Sequence, residues 1–361
     1  MPDGAPMPSA GPAPEPAAAA TQAAGPALSL IVTCWNVGPY IAGALQSALD
    51  AGLDGPEIIV VDDGSSDETA AVVDLVVARN RDRARWKLLR LAGNTPGGVG
   101  AAANLGLDEA TGRAVAFLDG DDWLDPDALH LALARLAATG ADMVFTDCVD
   151  FIAPEGRLAP YPDAALWPEL EKAPDIEALR RVLLRCAPMP WRKVYARAFI
   201  DRIDLRFPVG DFYFEDNVHH WDAVLGAEKI ALLNRPLHMH RVGSAAQTIG
   251  GRGRKFLAIF GHHDRIAASL DRRGMSALHA PEFAEWLVRH LWWALERIDP
   301  GGLFAFWEAA RPCLLRHDAA ALDDALLRAG LPPRGAALVS AVLAGDRTAF
   351  AAMYMQAMLP R

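Results

Sequence analysis

Three carboxylates fall within four residues at Asp119-Gly120-Asp121-Asp122. A turn that only needs capping uses a single acceptor, so one acid would suffice there. Like charges this close repel one another, and a bound divalent cation relieves that repulsion. Magnesium or manganese is commonly held by one or two carboxylates together with phosphate oxygens and water. Such a cation stabilises the negative charge that builds on a leaving diphosphate. A second acidic pair, Glu215-Asp216, follows about 95 residues after Asp121. A carboxylate there can accept a proton from an attacking hydroxyl, and burial can raise its pKa for that task. The plain alternative is a solvated acidic turn.

The elements around these residues form a repeating pattern. Apolar runs at Leu28–Cys34, Glu57–Val61, Trp86–Leu91, Ala114–Leu118 and Asp142–Thr146 read as strands. Between them Tyr40–Ala51, Asp67–Arg79, Gly100–Ala110 and Pro126–Ala138 read as helices, with Pro39 placed for a first turn and Ser66 or Asp67 for a cap. This alternation predicts an α/β fold, Rossmann-like, with a mostly parallel sheet covered by helices on both faces. In such a sheet ligands bind beyond the carboxyl ends of the strands. The first strand ends at Thr33 and Asn36, the second at Asp62-Asp63-Gly64-Ser65, the third at Asn94-Thr95-Pro96-Gly97-Gly98, and the fourth at the acidic turn. All four polar turns therefore share one edge. Further on, His238 and His240 flank Met239 at strand spacing, just before Arg241. In a strand they face one side, and His240 is the better placed to join a metal or diphosphate site, though a structural histidine is the commoner case.

A competing pattern is present. Gly98-Val99-Gly100-Ala101-Ala102-Ala103 matches G-x-G-x-x-A, precedes a helix, and has Asp119 about 20 residues later. That would make the chain an NAD-dependent oxidoreductase. Against it, the fingerprint belongs after the first strand, and here it follows the third with a long loop.

Composition sets outer bounds. The 361 residues carry a formal net charge of -10, which disfavours nucleic acid as a partner. Four scattered cysteines lack any CxxC pair and read as reduced, buried thiols. No apolar run is long enough to span a membrane and no secretory signal is evident, so a cytoplasmic protein is expected, with peripheral attachment to the inner face of the membrane left open. Residues 1–27 form an Ala/Pro-rich tail expected to be disordered. Residues 28–250 are expected to form the main domain, with a boundary near Gly250–Gly253, and residues 251–361 a C-terminal helical region. There Phe283–Ile298, Leu303–His317 and Ala336–Met358 show helical spacing. The aromatic stripe Trp286–Leu295 reads first as helix packing and second as a lipid or membrane-surface contact.

Together these segments resemble the family two glycosyltransferases of the GT-A fold, over about Leu28 to Thr248. The resemblance rests on Leu30–Asn36, on Ile58–Asp67, on Phe117–Leu124, on Trp191–Tyr195, and on Phe214-Glu215-Asp216. It implies an inverting, metal-dependent transfer from a nucleotide-diphosphate sugar, usually a uridine diphosphate sugar, to an acceptor hydroxyl. The acceptor would be a saccharide, a lipid-linked group or a protein, as in polysaccharide or glycoconjugate synthesis. Thr33 and Asp63 would contact the base and its sugar, with Asn36, Asn104 and Arg241 completing the donor set. Asp119 and Asp121 would position ribose and metal (Mn2+ or Mg2+), with Asp122 and His240 as further metal candidates. Asp216 would be the general base, and Glu215 its alternative one residue away. One departure stands out. Many relatives have Ala-Arg-Asn where this chain has Ala102-Ala103-Asn104. Arg241, or the cluster Arg252, Arg254 and Lys255, could supply the missing charge. Otherwise donor affinity or specificity would differ; the alternative reading is a catalytically silent sugar-nucleotide or glycan-binding protein on the same fold.

Overall fold

Leu28–Cys34 forms β1, and all seven residues are buried, as a central parallel strand requires. The computed structural model describes residues 25–210, 213–243 and 253–358. After β1 come α1 (Gly38–Asp50), β2 (Glu57–Asp62), α2 (Thr69–Arg79), β3 (Arg85–Arg90), α3 (Gly100–Glu109) and β4 (Ala114–Asp119). Then follow β5 (Trp123–Leu124), α4 (Pro126–Thr139), β6 (Met143–Ile152), β7 (Arg157–Pro160), α5 (Trp167–Lys172) and α6 (Ile176–Leu183). The strand β8 (Lys193–Ala196), α7 (Arg197–Ile203), α8 (Asp216–Gly226) and β9 (Ile230–Val242) complete the sheet region. Six helices end the chain: α9 (Ala258–Arg273), α10 (Ala280–Leu295), α11 (Leu303–Leu315), α12 (Ala319–Arg328), α13 (Pro333–Ala344) and α14 (Arg347–Met358).

The nine strands run in the order β3-β2-β1-β4-β8-β6-β9-β5, with β7 on β6. The first four pairings are parallel, apart from β4 with β8. Thr33 lies level with Val61 on one side and Asp119 on the other, so the polar turns do share one edge. Three features differ from the simple reading of the sequence. The fifth strand does not join β4, because the short antiparallel β8 sits between them. Four residues are too few to display a period, which is why β8 is silent in the sequence. The long helix expected over Ala336–Met358 is two, broken at Gly345, whose φ of 73° is left-handed and ends α13. The cap of α2 is also displaced: Asp67 bonds Thr69 N–H and reaches back to Gly38 N–H, and the helix begins at Thr69.

Alternating side chains of β1 send Leu30 and Val32 to one core and Ile31 to the other. The first core is covered by α1 and α4. The second continues without interruption from the sheet through α8 into α9, α10, α11 and α13. The C-terminal helices therefore pack on the sheet region; Gly250 and Gly251, at the expected boundary, lie outside the described residues.

Arg192 shows how a loop near the site is held. Its side chain is 1% exposed, lies 4.3 Å over the Phe145 ring, and donates to both oxygens of Asp163 at 2.9 and 2.7 Å. Removing one partner of a buried ion pair strands the other, at a cost of about 3–5 kcal/mol. Arg192→Ala should lower the unfolding free energy by that amount, measured by urea denaturation. Arg192→Lys should recover little of it, since an ammonium cannot span both oxygens.

Candidate active site

Beyond the strand ends lies a cleft with a cavity of about 330 Å3. Thr33, Trp35, Asp63, Asn94, Gly98, Asp119, Asp121, Tyr213 and His240 line it. Its centre is the acidic turn. Thr33 donates its hydroxyl to Asp119 at 3.2 Å, and Gly120 N–H bonds Thr33 carbonyl at 2.9 Å, which fixes the turn against β1. Gly120 must lack a side chain, because a Cβ there would meet Cys34 Cβ at 2.8 Å.

The three carboxylates differ in what they touch. Asp122 is buried and both its oxygens are engaged: one accepts from Arg241 N–H at 2.7 Å, the other meets His238 Nε2 at 2.8 Å. Burial pushes the His238 pKa down to about 3, so that ring is neutral and donates. Asp121 makes no side-chain hydrogen bond among the described residues and faces the cleft. Burial, then the charges of Asp122 and Asp121, push Asp119 up to about 7. Asp121 is raised by burial and by Asp122, and Asp122 reaches about 6 mainly through burial. These are groups that a cation would hold ionised. No three ligand atoms of the turn lie within 4.8 Å of one another; among the described residues that closeness is met by His263, Asp264 and Cys313 in the helical region. A cation at the turn would therefore rest on Asp121 and Asp119, completed by donor oxygens and water, as is usual for magnesium and manganese.

His240 fits the same set. Its Nδ1 meets Asp150 at 2.9 Å and its ring lies 5.6 Å from the Trp191 ring, nearly parallel to it. Nδ1–H donating to a carboxylate leaves Nε2 as the lone pair, the arrangement of a metal-bound histidine and its carboxylate partner. Burial opposes its charging, but the Asp150 hydrogen bond and the nearby acids raise its pKa overall. His238, spent on Asp122, is structural.

Other expected donor residues are occupied elsewhere. Asn36, at φ 51°, accepts from Ser66 and Asp67 N–H and joins the first two turns. Asp63 lines the cleft, yet its oxygens hold Thr95 and Asn94. Asn104 exchanges hydrogen bonds with the backbone of Phe207, at 2.8 and 2.9 Å, and does not line the cleft. Ala103 is buried in the core. Arg241 donates to the Asp121 carbonyl at 2.8 Å and lies over the rings of Tyr40, Trp123 and Phe151, so it clamps the turn from behind. Of the basic cluster, Arg252 lies outside the described residues and Arg254 is exposed. Lys255 sits 5.5 Å over Tyr213, a cleft residue.

The glycine fingerprint has a different purpose from dinucleotide binding. Glu215 accepts from Gly100 N–H at 2.7 Å, at the start of α3 where a pyrophosphate would sit. A Cβ on Gly98 would strike Glu215 Oε1 at 2.8 Å. The glycines make room for a carboxylate of the same chain, which removes the oxidoreductase reading. It also makes Glu215 a helix cap. Burial and then Asp216 push its pKa to about 7.

Asp216 begins α8 and faces a second cavity. Burial raises it to about 6, while Asn217 and Lys193 pull it down. Lys193 was missed as a site residue: it is fully buried, donates to Met189 carbonyl at 2.6 Å, and burial lowers its pKa to about 7. Only the three-dimensional fold brings it to Asp216. Segment 213–216 thus walls the first cleft at Tyr213 and the second cavity at Phe214 and Asp216.

These placements separate two carboxylates that adjoin in sequence. Asp122→Ala should lower the melting temperature by several degrees, because the buried His238 ring and the Arg241 N–H both lose their bond to this carboxylate. Asp121→Ala should leave melting within about a degree, measured by differential scanning fluorimetry on both variants without added ligand.

Residues 29–191 match the model of Glycosyl transferase family 2. EpsH of Bacillus subtilis, named as a glycosyltransferase, is 27% identical over 267 residues, 73% of this chain and 75% of EpsH. The succinoglycan biosynthesis protein ExoO of Rhizobium meliloti is 33% identical over 187 residues, 50% of this chain and 51% of ExoO. The poly(ribitol-phosphate) β-N-acetylglucosaminyltransferase TarS of Staphylococcus aureus is 29% identical over 211 residues, but the match spans only 34% of TarS. The crystal structure of TarS 1–349 superimposes with a TM-score of 0.67 at 22% identity, over 92% of this chain and 93% of that one. The same fragment has been solved with UDP-GlcNAc. The region 29–191 belongs to glycosyl transferase family 2, the chain has the GT-A fold, and it is a glycosyltransferase.

Proposed function

We propose that this enzyme moves a sugar from a UDP-sugar to an acceptor hydroxyl with inversion, in a reaction that needs Mn2+ or Mg2+. The observation that carries the reading is the division of labour across segment 213–216: the acidic turn faces one cavity and Asp216 faces the next. The uridine nucleotide is inferred from the TarS fragment solved with UDP-GlcNAc. Polysaccharide or glycoconjugate synthesis follows the names of ExoO and TarS. The N-terminal 1–27, the sheet region 28–250 and the helices 251–361 are taken as tail, donor domain and C-terminal helical region.

Asp121, with Asp119 and His240, would hold the cation, and Thr33 with the Asp63 turn would hold the nucleoside. When bound, the cation supplies charge neutralisation to the diphosphate as it leaves. Asp122 and Arg241 keep the turn rigid, so little reorganisation is needed as charge develops. Asp216 takes the acceptor proton while the acceptor oxygen attacks the anomeric carbon and the bond to the diphosphate breaks. A single displacement inverts the anomeric centre. Buried, unpaired cysteines suit a reducing cytoplasmic setting. No described helix is long and apolar enough to cross a membrane.

Asp121→Ala or chelation should abolish sugar transfer, read as UDP release in the presence of acceptor. Full activity in chelator with folded protein would sink the metal role. Asp216→Asn should cut the turnover rate by roughly 10²–10⁴ while leaving UDP binding unchanged. The base must be ionised to work and its pKa is about 6. Turnover should therefore be flat above neutrality and fall about tenfold per pH unit well below that pKa.

A further inference from the structure

We propose that the inward face of α10 forms the acceptor subsite, taking an uncharged saccharide, with His290 Nε2 accepting a hydrogen bond from an acceptor hydroxyl. The proposal rests on the reading of Asp216 as the general base. Its starting point is a groove that the donor chemistry does not use. Two cavities of about 420 and 380 Å3 share Tyr161, Asn217, Arg289 and His290 on their walls, and the smaller one also contains Asp216. Neither shares a lining residue with the donor cleft. The groove therefore reaches Asp216 as a space separate from that cleft.

Its chemistry selects the occupant. Trp286, His290 and Trp293 recur at helical spacing on one face of α10, with ring centroids 4.4 and 6.2 Å apart. Aromatic faces with a few fixed polar atoms suit the apolar C–H faces and outward hydroxyls of a sugar. His290 Nδ1 lies 2.8 Å from the Trp286 carbonyl, which can only accept, so Nδ1 carries the proton. Nε2 is then a bare acceptor and has no partner among the described residues. Burial holds the ring's pKa near 4, which keeps it neutral. The charges in the groove are already balanced. Arg289 reaches Glu285 at 2.8 Å and Arg185 reaches Glu169 at 2.6 Å, so each guanidinium lining the groove already has a carboxylate partner.

The same helix also positions the base. Trp286 Nε1 donates to Asn217 at 2.9 Å, and Asn217 Nδ2 donates to Phe214 carbonyl at 3.1 Å and to Asp216 at 3.2 Å. Phe214 has a φ of 69°, a conformation bulky residues avoid, and it is held between Phe256 and Trp293 at 5.5 and 4.6 Å. The helical region thus packs directly against the residue that would receive the acceptor proton.

Saturation-transfer difference NMR tests this without a known acceptor. The probes are the methyl β-glycosides of glucose, galactose and N-acetylglucosamine, and UDP in parallel samples, all in buffer containing Mg2+. At least one glycoside should bind the wild type. His290→Ala and Trp293→Ala should weaken it about tenfold, the value of one hydrogen bond or one stacking contact, and leave UDP binding unchanged. His290→Gln, which keeps an acceptor oxygen, should retain most of the affinity, and Asp121→Ala should retain all of it. Binding of no glycoside by the wild type, or equal binding by both α10 variants with unaltered melting, overturns the proposal. Loss of UDP binding in the wild type would instead overturn the donor reading and leave the glycoside result standing.

Discussion

One buried carboxylate joins the end of β4 to the end of β9. Asp122 accepts from the backbone of Arg241 and from the ring of His238, and so holds together strand ends that are not neighbours in the sheet. A charge buried this deeply is stable only when its partners are fixed. Here they are, since His238 is stacked 4.0 Å from Trp191 and Arg241 is held over three rings. The geometry of Asp119, Asp121 and His240 is inherited from that tie. Asp121 is left open because its neighbour has taken the structural burden.

Much of this edge could be read from the chain itself. Apolar runs that end in acids and amides announce a parallel sheet and its ligand edge, because strands buried on both faces admit little else. The address of the acidic turn follows at once. The split of duties within it does not. Asp122 is distinguished by residues 116 and 119 positions away, and local sequence carries no trace of them. The same holds for Glu215, whose partner on α3 is 115 residues distant. Asn36 and Asp63 stand in turns and Asn104 on α3; amides and acids serve ligands and loops alike, so sequence does not separate the two uses. Their hydrogen bonds are taken by the loops themselves.

The aromatic stripe on α10 had two readings, packing and contact with a lipid surface. Trp286 is buried and bonded to Asn217, Trp292 packs over Gly335, and Trp293 meets Phe214 and Phe256. The stripe faces the protein. Its pattern is legible as a buried face, but what lies opposite that face is set by tertiary packing that periodicity cannot express.

The contact of Glu215 with the start of α3 has a mechanical consequence. A single side chain latches the loop at Gly98–Gly100, which walls the donor cleft, to the segment that ends in Asp216. A displacement of that loop is handed to the neighbouring aspartate across one hydrogen bond and one peptide unit. The walls of the two cavities are in this sense one lever, joined at a single carboxylate.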